Sequence, residues 1–129
     1  MRPQEIPASR PLLGIVGPCG SGKSTLAARL VERGLGARAI AQEHSYVPVM
    51  WQRITNPRLL VFLQASYPVC TRRRQLVWTE QEYEEQLRRL AHAYAHADLR
   101  VDTDPLTPDE VLAAVLGGLG LEPPFPQEV

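Results

Sequence analysis

Two stretches of the chain, Leu12-Leu13-Gly14-Ile15-Val16 and Leu59-Leu60-Val61-Phe62-Leu63, are apolar without alternation. A strand with one wet face alternates apolar and polar residues, so these runs predict strands covered on both faces, as in a parallel sheet flanked by helices. The segments around them have the helical period. Residues 24–33 place Leu26, Leu30 and Val31 on one stripe, with Gly34 positioned to end the helix. Residues 80–97 repeat Tyr83, Leu87, Leu90 and Tyr94 every three or four positions, behind a capping-box pattern at Thr79 and Glu82. Thr107 to Glu110 opens a last helix with Pro108 at its first position and a second capping box, and Val111, Val115 and Leu119 face the core. Residues 38–43 are a weaker strand candidate and 99–102 a short final strand. Val47 to Trp51 stays open, since Pro48 would confine a strand there to an edge. Strands alternating with helices predict an α/β fold of three α/β/α layers, with a short, mostly parallel sheet of four to five strands.

A chain of 129 residues is long enough for one core and too short for a catalytic domain plus a separate substrate domain. The domain is expected over 12–121, between a proline-containing flexible lead (1–11) and a proline-rich tail (122–129). The 14 basic and 14 acidic residues cancel. That leaves no electrostatic footprint for nucleic acid or for an anionic membrane, and no apolar run nears the ~18 residues of a membrane span. Two cysteines are too few for a disulfide framework, and Met1 to Glu5 lack the apolar core of a signal peptide, so a cytoplasmic protein with reduced thiols is expected.

Of the 14 basic residues 13 are arginine, and the one lysine is Lys23. It stands in Gly17-Pro18-Cys19-Gly20-Ser21-Gly22-Lys23-Ser24, a match to the phosphate-binding pattern of glycine, four residues, glycine, lysine and serine. A predicted buried strand runs into this segment and a predicted helix leaves it. The helix N-terminus then presents free N–H groups and partial positive charge to a phosphate. Gly17 permits a sharp exit from the strand, while Gly20 and Gly22 allow positive φ and close backbone approach. Lys23 supplies a point charge for β- and γ-phosphates and Ser24 a hydroxyl for Mg²⁺. The dinucleotide fingerprint does not fit, because the glycine spacing differs and Lys-Ser is the wrong continuation.

With this loop and this order of elements, the chain resembles the P-loop NTPases, and among them the small nucleoside and metabolite kinases of the uridine, adenylate, shikimate and gluconate kinase type. The resemblance runs from Leu12 to Leu119. It implies a P-loop NTPase core that binds ATP, or GTP, with Mg²⁺ and passes the γ-phosphoryl group to a hydroxyl on a small-molecule acceptor. It implies that Gly17, Pro18, Cys19, Gly20, Ser21, Gly22, Lys23, Ser24 and Thr25 hold the nucleotide. Residues 40–46 are similar to the second-strand segment of uridine kinases, which makes Glu43 a general base or, with Ser24, a metal ligand. Residues 60–66 followed by Arg72-Arg73-Arg74 are similar to a strand and an arginine-bearing lid helix. Arg72 and Arg73 are therefore taken with Lys23 and Glu43 as catalytic candidates, although consecutive helical residues diverge and at most two can face a phosphate. Thr103 to Leu106 correspond to a loop near the base, with Asp104 a nucleotide-binding candidate.

The chain departs from that pattern in the middle. Only Ser45 to Pro57 separate the second strand from the next, and the run 59–63 ends in Gln64, with no Walker B carboxylate. Glu43 is the acid expected to do that work, its strand lying beside the loop. Two other functions stay open: a nucleotide-binding regulatory or interaction module without transferase activity, and a triphosphate hydrolase completed by a partner or a homodimer. His92 and His96 share a helix face but lack a third zinc ligand. Trp51, Trp78 and Tyr46 are candidates either for stacking on a base or for packing.

Overall fold

The computed structural model describes residues 10–121; the tail at 122–129 and residues 1–9 of the lead lie outside the described residues. Four strands form one parallel sheet: β1 (Leu13–Val16), β2 (Ala37–Ala39), β3 (Leu59–Gln64) and β4 (Leu99–Asp102), in the order β2-β1-β3-β4. Four α-helices accompany them: α1 (Lys23–Glu32), α2 (Tyr67–Arg74), α3 (Glu80–His96) and α4 (Pro108–Gly118). The protein is thus α/β with one all-parallel sheet, at the lower end of the expected strand number.

From β1 the chain steps to β2 on one side, then crosses back over β1 to β3 and on to β4. Right-handed crossovers send connections that run in opposite directions to opposite faces of a sheet. Side-chain alternation along the strands follows this division. Leu13, Ile15, Val61 and Leu63 join Leu26 and Leu30 of α1 and Val111, Leu112, Val115 and Leu116 of α4 in one core. Val16, Leu60 and Phe62 point the other way, into a second core with Ile40, Trp51, and Leu90 and Ala93 of α3. Both faces are covered, which is why the strands carry no alternation. Gly14 serves the second face: a Cβ there would lie 2.6 Å from Pro57 Cγ and 2.7 Å from Ile40 Cδ1, so glycine lets both close on the sheet.

Both capping boxes form, at Thr79 with Glu82 and at Thr107 with Glu110. Gly34 takes φ 85° just beyond α1. Several stripes differ from expectation. In α3 the buried residues are Gln86, Leu90 and Ala93, while Leu87 and Tyr94 are 37% and 41% exposed. Small Ala93 lets the helix approach the sheet, and Tyr94 instead meets Phe62 edge-on at the rim. Val31 is exposed, and α4 buries Leu112 and Leu116 beside Val111 and Val115, with Leu119 only partly packed. The strand expected over 38–43 stops at Ala39; residues Gln42–His44 form a single 3₁₀ turn, since Gln42 and Glu43 turn inward instead of alternating. The open segment becomes a turn leading into a π-helical turn, Trp51–Thr55, which drives the Trp51 ring into the second core.

The rotated stripe of α3 has a measurable consequence. Leu90→Ala should cost about 2–5 kcal/mol in denaturant unfolding, as expected for a fully buried leucine. Leu87→Ala should cost under about 1 kcal/mol. The reverse order would restore the stripe expected from periodicity.

Candidate functional site

In open parallel sheets, ligands bind beyond the carboxyl ends of the strands where the strand order reverses. Here that point lies between β1 and β3, and the segment 17–22 leaves β1 there. Its backbone is tightly placed. A Cβ at Gly17 would lie 2.4 Å from Leu63 O, and one at Gly20 would lie 2.7 Å from Cys70 O. Gly22 is the N-cap of α1 in a left-handed conformation that disfavours a side chain, and no side chain caps the helix. The first amide to bond back into α1 is that of Leu26, to Gly22 O. The N–H groups of the first turn are left to an outside acceptor.

Lys23 opens α1 and folds back over the loop. Its Nζ donates to Gly17 O at 3.0 Å and to Pro18 O at 3.2 Å, and lies 3.0 Å from Glu43 Oε2. Both side chains are largely withdrawn from water, 11% and 4% exposed. Glu43 reaches this position from the 3₁₀ turn after β2, and its second oxygen, Oε1, is buried without a hydrogen-bond partner. Such an oxygen is costly unless something completes it. Ser21 Oγ, also buried, has none either.

Around this pair the loop is held by residues that carry no motif. The Cys19 N–H donates to Gln86 Oε1 at 3.0 Å, fixing the loop to α3. Gln42, fully buried, accepts from Trp51 N–H and donates to Val47 O, while Arg89 donates to Glu43 O. Arg73 ties α2 to the loop and the end of β4, donating to Thr103 O at 2.7 Å, Thr103 Oγ1 at 3.0 Å and Gly20 O at 3.3 Å. A signal for Gln86 exists in the sequence: it lies three residues after Tyr83 and four before Leu90, a polar residue on an apolar stripe. His44 and Thr103 have no comparable signal, because only the folded chain brings them to the loop.

Two hollows open at the strand ends. A cleft of about 320 Å³ runs along the N-terminus of α1 from Gly20 to Leu26, walled by Arg73, Arg74, Thr103 and the apolar Leu106, Pro108 and Val111. Exposed Ser24 and Thr25 line it. A groove of about 530 Å³ lies on the α3 side, reaching Pro18 and bounded by Gln64, Ser66, Tyr83, Tyr94, Asp102 and Asp104. Asp104 is therefore in the groove and not the cleft; its Oδ1 accepts from the Ser66 N–H. Arg72 lines neither hollow, whereas Arg74 joins Arg73 in the cleft. Tyr83 donates to Ala65 O at 2.6 Å, and burial pushes its phenol up to about 12, which keeps it a neutral donor.

Of the aromatic candidates, Trp51 and Trp78 pack internally and Tyr46 is exposed. Trp51 is 5% exposed and donates to His92 Nδ1. Trp78 donates to Thr71 Oγ1 and packs against Tyr67 and Tyr83, and Tyr46 lies out under the Arg89 guanidinium. His92 and His96 stack on each other, with no third metal-ligating residue among the described residues beside them. No residue of 45–58 lines the cleft or the groove; the segment is tied instead to the turn at 42–44, through Val47 and Trp51 on Gln42, and Trp51 enters the second core. No helix among the described residues is long and apolar enough to cross a membrane.

No protein-family model matches the chain, and no curated protein matches it. What the site does has to be argued from its geometry.

The two cysteines should separate chemically. Cys70 is fully buried and its thiol is pushed up to about 11 by that burial, so at pH 8 only about one molecule in a thousand carries the thiolate. Cys19 is half-buried at the loop. A thiol-alkylating reagent at pH 8 should label one cysteine in the native protein, Cys19, and both in denaturant; native labelling of Cys70 would contradict this packing.

Proposed function

We propose that this chain binds a nucleoside triphosphate with Mg²⁺ at the loop 17–25, as a P-loop protein, and that it is a small-molecule kinase. The observation that carries the reading is the meeting of three features at one point. The uncapped N-terminus of α1, the chain's one lysine and a buried carboxylate with an unpartnered oxygen converge where the strand order reverses. The backbone N–H groups of Gly20 and of Gly22 to Thr25 would take the phosphate oxygens, the Ser21 N–H being donated to Pro18 O. Lys23 would exchange its carbonyl partners for β- and γ-phosphate oxygens, a gain because an anion is a stronger partner than a carbonyl. The exposed hydroxyl of Ser24 and the carboxylate of Glu43 fit a hard cation, whose oxygen ligands they would supply. Mg²⁺ held there supplies charge neutralisation between the β- and γ-phosphates. Leu106, Pro108 and Val111 give the cleft an apolar wall for the base.

For transfer, the Glu43 carboxylate would accept the proton of an attacking hydroxyl once Lys23 is drawn out to the phosphates and Glu43 is opened to the acceptor. Arg74 is the arginine free to meet developing charge, since Arg73 already serves Thr103 and Gly20. The groove that meets the loop at Pro18 would hold the acceptor, with Gln64, Ser66, Asp102 and Asp104 as its polar contacts.

One observation favours a second reading. Of residues 45–58, which would have to build an acceptor lid, none lines the cleft or the groove, and Trp51 is drawn into the second core. A nucleotide-binding module without transferase activity, or a hydrolase completed by a partner or by a second copy of the chain, needs no such lid.

Thermal unfolding tests the two readings together, and a transfer screen separates them. Mg·ATP or Mg·GTP at 100 times Kd should stabilise the fold by about 2.7 kcal/mol, and Lys23→Ala should abolish the effect. If no nucleotide stabilises the protein, both readings fail. A transfer screen against nucleosides, sugars and coenzyme precursors tests the kinase, with Glu43→Gln expected to lose ~10²-fold or more in turnover while still binding nucleotide. Hydrolysis to water alone would favour the second reading.

A further inference from the structure

The loop carries a second constellation, of which the phosphate-site reading uses Glu43 but neither the Cys19 thiol nor the His44 ring. Cys19 Sγ lies 3.4 Å from His44 Nε2 and 3.8 Å from Glu43 Oε2, and His44 Nε2 lies 3.6 Å from the same oxygen. The three atoms form a nearly equilateral triangle of one sulfur, one imidazole nitrogen and one carboxylate oxygen. Zinc distances of about 2.3 Å to sulfur and about 2.0–2.1 Å to nitrogen or oxygen, at tetrahedral angles, set ligand atoms about 3.3–3.6 Å apart. The observed edges match three corners of that tetrahedron with little adjustment.

The surroundings fit such a site as well. Gln86 Nε2 lies 3.4 Å from Cys19 Sγ while Gln86 Oε1 accepts the Cys19 N–H, so one side chain fixes both the thiol and its backbone. Arg89 donates to Glu43 O and so anchors the turn that carries the other two ligands. Groups of this kind orient metal ligands from outside the coordination sphere. Independently, Glu43 is almost wholly buried, and while its Oε2 faces the triangle its Oε1 has no hydrogen-bond partner, so the carboxylate keeps unused accepting capacity. The ligand set also selects its metal: a thiolate and an imidazole suit Zn²⁺ or Co²⁺, whereas Mg²⁺ takes oxygen.

We propose that Cys19, Glu43 and His44 form a binding site for a thiophilic divalent cation of the Zn²⁺ type, with the fourth coordination position open at the phosphate loop. Binding converts the Cys19 thiol to a thiolate bound to the metal and releases one proton to solvent, with no change of oxidation state. The ion would share Glu43 Oε2 with Lys23, so metal and ammonium compete for one carboxylate. This sets it apart from the hard-cation role of Ser24, and its test needs no nucleotide.

Titration of the reduced, full-length protein with Co²⁺ should give one equivalent of a near-ultraviolet thiolate-to-cobalt charge-transfer band, which Zn²⁺ displaces. Cys19→Ser should abolish the band, and His44→Ala, at an exposed position, should weaken binding at least tenfold. Cys70→Ala and His96→Ala should leave it within twofold, with circular dichroism confirming that each variant folds. Lys23→Ala, which removes the competitor, should bind Zn²⁺ at least as tightly as the parent protein. The proposal is overturned by the absence of a thiolate band, by a band that survives Cys19→Ser, by unchanged affinity in His44→Ala, or by weaker binding in Lys23→Ala. Metal binding without nucleotide stabilisation would leave this site standing and remove the P-loop reading; the opposite result would do the reverse.

Discussion

Everything at the site depends on the handedness of the connections between parallel strands. Because crossovers are right-handed, a chain that steps from β1 to β2 and then back past β1 to β3 must lay its connections on opposite faces. The connections leaving β1 and β3 therefore diverge, and the space between them at the carboxyl ends stays open. The segment 17–22 fills that opening with backbone instead of side chains. Its glycines permit this, since side-chain atoms at Gly17 or Gly20 would meet the carbonyls of Leu63 and Cys70. Helix α1 starts there with its free amides pointing outward, and β2 returns beside β1 so that the next turn brings Glu43 to Lys23.

That ion pair has the energetics of a site held ready. At 3.0 Å and an effective dielectric of about 20, the attraction is of order 5 kcal/mol before desolvation, which offsets several of them. The pair therefore adds little net stability, but losing either partner leaves the other uncompensated. Lys23 keeps two carbonyl partners on the loop and Glu43 keeps one oxygen free. An anion that draws the lysine outward leaves a carboxylate able to take a proton or a cation. The same carboxylate also faces Cys19 and His44, so this turn governs whatever chemistry the loop performs.

How much of this was legible in the sequence varied with the kind of contact. The uninterrupted runs at 12–16 and 59–63 announce strands buried on both faces, and Thr79-x-x-Glu82 and Thr107-x-x-Glu110 are local enough to mark their helices. The turn at 17–22 between β1 and α1 was readable for the same reason, being a local pattern between two local elements. The placement of Glu43 was not legible: alternation predicted a strand end, while burial of Gln42 and Glu43 bends the chain into a 3₁₀ turn. Stripe assignments failed where neighbours are small. Ala93 reaches the sheet and Leu87 does not, a choice made by the opposing surface and not by periodicity. Contacts between distant segments are not paired by any pattern, because each joins residues 30 or more positions apart: Gln86 stood out as a polar residue on an apolar stripe, but nothing tied it to Cys19 or Arg73 to Thr103.

We propose that the backbone from Gly20 to Thr25 is the anion-binding element of this protein. Two-dimensional ¹H–¹⁵N NMR during titration with Mg·ATP tests it residue by residue. The account predicts that the amides of Gly20, Ser21, Gly22, Lys23, Ser24 and Thr25 shift together along one saturating curve, well beyond the shifts of the exposed face of α3. Absent shifts in those amides, or saturable shifts centred on another part of the molecule, would contradict it.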